Sequence, residues 1–114
     1  MMTLQAQIQY LSKRLKVTEE QFNMLIYNTG EQYVLRNYHN ETVRSRLLHS
    51  SRFWKWWKSV WSNYLRSFII HTQGVPGLGM TELEMMFNEF VSSQLFISQK
   101  MFSQIVKPSK IKEL

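Results

Sequence analysis

The sequence predicts an all-α fold: a single domain of four to five helices in which a Trp-rich helix packs antiparallel to a long C-terminal helix. Three observations carry this. Apolar residues recur at three- and four-residue spacing along most of the chain, the period of a helix with one buried face. Only four glycines and two prolines interrupt 114 residues, and three of those glycines and one proline crowd into residues 71–80. Two Thr-led capping boxes, Thr18 with Gln21 and Thr81 with Glu84, mark helix starts. A hydrophobic fraction of 44% places the chain among globular rather than disordered proteins. Its length supports one core but not two. Residues 1–106 are therefore expected to form one helical domain, and 107–114 a short basic C-terminal tail.

The first helix is expected over about residues 3–16. Leu4, Ile8, Leu11 and Leu15 are spaced four, three and four apart, a narrow seam that one neighbouring helix can cover. Gln5, Gln7, Gln9 and Lys13 fall on its other faces. Two heptads are too few for a coiled coil, so docking within the chain is the expectation.

The Thr18 box then starts a second helix near Glu19, with Phe22, Leu25 and Ile26 inward and Gly30 as its stop in the left-handed conformation. Residues 19–39 also fit a helix-turn-helix with Gly30 in the turn. Against that, Ile26 occupies the position where such motifs place a small residue. The next apolar set runs from Tyr33 to Leu48, broken by the poor helix formers His39-Asn40-Glu41-Thr42. Asn40-Glu41-Thr42 matches the glycosylation sequon, read as a chance match because no secretory signal is expected.

Residues 52–70, RFWKWWKSVWSNYLRSFII, hold all four tryptophans. At 100° per residue, Phe53, Trp54, Trp57, Val60, Trp61, Tyr64, Leu65 and Phe68 lie within one arc of about 140°, a wide core face. Arg52, Lys55, Lys58, Ser59, Ser62, Asn63 and Arg66 form the outer face. Trp54, Trp57 and Trp61 are expected in the core, whereas Trp56 falls among the polar residues, partly wet. Residues 71–80, HTQGVPGLGM, read as a loop. It has no Lys-Ser or Lys-Thr pair after it, and Glu82 and Glu84 in the following turn would repel an anion, so a hinge is expected there rather than a phosphate cradle. The Thr81 box then opens a helix to about Val106, ended by Pro108. Leu83, Met86, Phe87, Phe90, Val91, Ile97, Met101 and Ile105 mark its main face, and Met85 and Phe96 project roughly opposite.

Charge is localised. Lys13, Arg14 and Lys16 cancel Glu19, Glu20 and Glu31, and the four lysines after residue 66 cancel the four glutamates there. The whole net charge of +6 lies in residues 36–66, where seven cations face Glu41 alone. The chain has neither cysteine nor aspartate, which excludes disulfides, thiol catalysis and cysteine-held zinc and removes the usual triad acid. His39, His49, His71 and the glutamates match no catalytic or metal spacing. No catalytic residue, cofactor or metal is expected.

The N-terminus lacks an uninterrupted apolar run, so a secretory leader is not expected, and Lys55, Lys58 and Arg66 break the best candidate for a membrane span. An intracellular location, or one within an assembled particle, follows as the expectation. The expected role is non-catalytic: a structural or adaptor subunit acting through helix surfaces, with other protein subunits as partners in a homo-oligomer or a larger assembly such as a virus particle. Trp56, Met85 and Phe96 are the expected partner contacts. The alternative is nucleic-acid binding by residues 36–66, with Arg44, Arg46, Arg52, Lys55, Lys58 and Arg66 as phosphate contacts beside an aromatic platform. A third reading lays the Trp helix on an anionic membrane. It is the weakest, because that apolar face is more easily buried against the chain's own helices.

Overall fold

The computed structural model describes residues 2–73 and 79–95, with all their side chains except those of residues 80, 81 and 91–95. Five helices follow in order: α1 (Leu4–Leu15), α2 (Glu19–Asn37), α3 (Glu41–Leu48), α4 (Ser51–Gln73) and α5 (Met80–Leu95). The described residues include no strand.

Thr3 caps α1, its hydroxyl accepting the Ala6 N–H at 3.1 Å. At the other end Lys16 turns left-handed, with φ 54°, closing the helix onto the Ser12 carbonyl. Ile8, Leu11 and Leu15 are buried and Leu4 packs at the core edge, as the seam predicted. That seam meets three helices, α2, α4 and α5, rather than one. The wider cover also buries Gln7 and Ser12, which flank it. Gln7 is satisfied across the interface: its Nε2 donates to the Ser62 carbonyl at 3.1 Å, and its Oε1 accepts the Ser62 hydroxyl at 3.0 Å. Farther along, Arg14 donates to the Thr72 hydroxyl at 3.2 Å. The two ties advance together along both helices, so α1 runs parallel to α4.

The Thr18 capping box forms as expected. The Thr18 hydroxyl accepts the Gln21 N–H, and the Gln21 side chain accepts the Thr18 N–H. Gly30 does not stop α2, which continues seven residues further to Asn37. This overturns the helix-turn-helix reading as well. The glycine is there for proximity, because the rings of Trp54 and Trp57 lie directly on it. A helix-interior glycine costs about 1 kcal/mol relative to alanine, and burial of the Trp57 indole and part of Trp54 outweighs that.

The predicted break does occur. Asn40 caps α3, its Oδ1 accepting from Thr42 at 2.9 Å and Val43 at 3.1 Å. In α4, the helix extends past the expected end at Ile70, so His71, Thr72 and Gln73 are helical rather than loop. Thr72 is buried there, with its hydroxyl bonded to the Phe68 carbonyl and held by Arg14. The rest of the predicted glycine loop, residues 74–78, lies outside the described residues.

Helix α5 begins at Met80, ahead of the expected Thr81 cap. The Leu83 N–H bonds the Gly79 carbonyl at 3.0 Å, and the Glu82 carboxylate folds back over Gly79, where the helix dipole favours a negative charge. Leu83 and Phe87 are buried, with Met86 and Phe90 at the core edge. Phe68 meets Phe87 at 5.1 Å and Phe90 at 5.5 Å between ring centroids, and Tyr64 meets Phe90 at 6.3 Å. The earlier residue of α4 thus reaches the later residue of α5, and the two helices are antiparallel as predicted. The expected continuation of α5 to Val106 and the tail 107–114 lie outside the described residues.

The core is led by Trp57, Trp61, Phe22, Phe68 and Phe87. A buried indole N–H needs an acceptor, and both have one. Trp57 donates to the Ile26 carbonyl at 2.9 Å and Trp61 to the Thr29 hydroxyl at 3.0 Å. Trp54, expected in the core with them, is only half-buried and bonds the Leu48 carbonyl at 2.8 Å.

Candidate functional site

Helix α4 crosses α2 at Gly30, and this crossing sorts the exposed aromatics into two groups. Tyr27 and Tyr33 lie three residues to either side of that glycine. Trp54 stacks on Tyr27, with 4.9 Å between centroids and 12° between planes. Trp56 lies against Tyr33 at 5.3 Å, and is further braced by Trp57 at 5.9 Å and Phe53 at 6.0 Å.

Trp56 is 47% exposed, as its place on the polar side of the helix predicted. Its inner side is fixed by three rings and its outer side is open. Arg52, Lys55, Lys58 and Arg46 are exposed on the same part of the chain. The other two candidate phosphate contacts are placed differently. Arg44 donates to the carbonyls of Leu35 (3.0 Å) and Tyr38, tying down the end of α2. Arg66 is half-buried, and its Nε is enclosed without a hydrogen-bond partner.

On the other flank of α4, Tyr27 and Trp54 form part of a groove of about 300 Å³ with Asn23, Ile26 and Lys58. Tyr27 is half exposed. Neither tyrosine was singled out from the sequence. The available signal was an aromatic residue three positions before and three after a glycine inside a helical pattern, which marks the flanks of a close helix crossing.

Met85 is 58% exposed on the side of α5 away from Leu83 and Phe87, again as predicted. Glu82 and Glu89, three residues before and four after it, are exposed on the same side. Phe96, expected to extend this surface, lies outside the described residues. Between α4 and α5, Phe68, His71, Met86, Glu89 and Phe90 line a second groove, of about 360 Å³.

Among the described residues, no three His, Cys, Asp or Glu side chains are grouped to hold a metal, and no helix is long and apolar enough to cross a membrane. What the surface offers is contact chemistry: braced aromatic faces, unbalanced cations and, on α5, a methionine between carboxylates. Comparison with protein-family models, with curated proteins and with solved structures finds no match for this chain.

Proposed function

We propose that this protein is a non-catalytic structural or adaptor subunit that binds other proteins through its helix surfaces, with Trp56 as the anchor. The observation that carries this reading is that Trp56 is half exposed yet braced by three rings. Immobilising a side chain on binding costs rotamer entropy, and an indole already held in place avoids most of that cost. Tryptophan and arginine are the residue types that most often dominate interface energetics, and Arg52 lies one turn from Trp56. A merely solvated basic face has no use for a braced indole.

The test is a photo-crosslinking amino acid in place of Trp56, in the full chain expressed in its own cells. Protein adducts are the expected result. Adducts confined to nucleic acid would overturn the reading.

The competing reading, nucleic-acid binding, is favoured by the concentration of seven cations against one glutamate in residues 36–66. Light-scattering mass and the 260/280 nm absorbance ratio, read across one chromatographic peak, separate the two. A clean protein ratio supports the protein-partner reading. Nucleic-acid absorbance removed by salt, with a log-log slope of about 3 for the four exposed candidates Arg46, Arg52, Lys55 and Lys58 on a single strand, would replace it.

A further inference from the structure

The start of α4 and helix α5 carry exposed charge of opposite sign. Arg52 and Lys55 stand near the start of α4 beside Trp56, whereas α5 carries three glutamates and no cation. The α4–α5 contacts begin at Tyr64 and Phe68, so α5 packs along the later part of α4 only. Phe68 is twelve residues beyond Trp56, about 18 Å along the helix. The indole of one copy therefore cannot fill the groove of Phe68, His71, Met86, Glu89 and Phe90 in that same copy, and Arg52 and Lys55 lie still farther back along α4.

We infer that a second copy of this chain does both: Trp56 of one molecule seats in the α4–α5 groove of the next, and Arg52 and Lys55 face Glu82 and Glu89 around it. This rests on the reading of Trp56 as a protein-binding anchor and names its partner. The chemistry matches on two counts. The groove is apolar and floored by Phe68 and Phe90, and Met86 supplies a thioether, which makes favourable contacts with aromatic rings. Glu89 sits at the groove itself, so a cation next to the incoming indole meets a carboxylate. Because the two surfaces differ, the contact is heterologous and repeats from copy to copy, closing into a ring or growing as a filament.

The test is the mass of the purified full chain by light scattering over a wide concentration range, at low and at physiological salt. The expected mass rises with concentration and falls with added salt, as screening weakens the charge pairs. Arg52→Glu/Lys55→Glu and Glu82→Lys/Glu89→Lys should each weaken association by roughly tenfold or more, and the two variants mixed should associate again, since the reversed charges complement one another. Circular dichroism checks that each variant is folded. Glu89→Lys alone serves if reversing Glu82 unsettles the start of α5.

A wild-type chain that remains monomeric throughout, or association unchanged in the Glu82/Glu89 variant, overturns the inference. Monomers accompanied by crosslinks from position 56 to a different protein remove the self-partner and leave the Trp56 reading standing. Association indifferent to Trp56→Ala counts against both.

Discussion

A Cβ on Gly30 would stand 2.5 Å from Cζ3 of Trp54, so these two residues meet with no room for a side chain between them. Trp57 Cδ1 is 3.0 Å from the same point. The contact sets how closely α4 approaches α2, and through that where Trp54 and Trp56 emerge on either side of the crossing. Trp54 has little freedom to retreat, because its Nε1 is bonded to the Leu48 carbonyl and its ring is stacked on Tyr27.

Gly30→Ala is therefore expected to destabilise the protein by about 1–3 kcal/mol, the usual cost of overpacking, despite alanine's better helix propensity. The urea midpoint measures it. In a Trp54→Ala background most of the penalty should disappear, since the nearest obstructing ring is gone. An equal cost in both backgrounds would mean that Trp54 is not the obstacle.

The four tryptophans should separate by burial. Trp57→Ala and Trp61→Ala each remove a buried indole and its hydrogen bond, with an expected loss of about 3–5 kcal/mol. Trp56→Ala loses ring contacts only on one side of a half-exposed residue, and about 1 kcal/mol is expected. Thermal melts of the variants decide it. If Trp56→Ala unfolds the chain as severely as Trp57→Ala, the outward placement of Trp56 is wrong.

Between Gln7 and Ser62 the expectation is strong coupling. Ser62→Ala leaves the Oε1 of a fully buried Gln7 without its donor, at a cost of about 1–3 kcal/mol. Adding Gln7→Leu removes the stranded polar group, and the double variant should recover most of that loss. A double-mutant cycle in urea gives the interaction energy directly.

Thr18→Ala tests the start of α2. It removes the acceptor of the Gln21 N–H, worth about 1 kcal/mol at a typical N-cap. Thr18→Asp should retain most of that stability, because aspartate accepts the same bond. Chemical denaturation of the two variants compares them.

Much of the architecture was legible in the chain itself. The seam Ile8–Leu11–Leu15, the Thr18 capping box, the interruption before Glu41, the inward face of α4 and the outward phase of Trp56 and Met85 all follow from helical period and local hydrogen bonding. Each is decided within a turn or two of the residue concerned, so one stretch of sequence suffices. Periodicity also made the antiparallel pairing of α4 with α5 legible, because two long amphipathic helices joined by a short connection cover their faces by folding back.

What the tertiary structure alone decided concerns which surface meets which. Gly30 carries the local signature of a helix end, and only the arrival of Trp54 and Trp57 from more than twenty positions away makes it a crossing point inside a continuous helix. Gln7 lies on a polar flank of α1 and is buried because α1 is covered by three helices rather than one. Arg44 belongs to the basic segment by composition, yet it is tied to the end of α2 by two carbonyls. Tyr27 and Tyr33 acquire their roles only once α4 lies between them. The physical reason is common to all four: hydrophobic period reports which face of a helix avoids water, whereas the identity of the covering partner, and the exact breadth of its cover, depends on long-range packing that no local window contains.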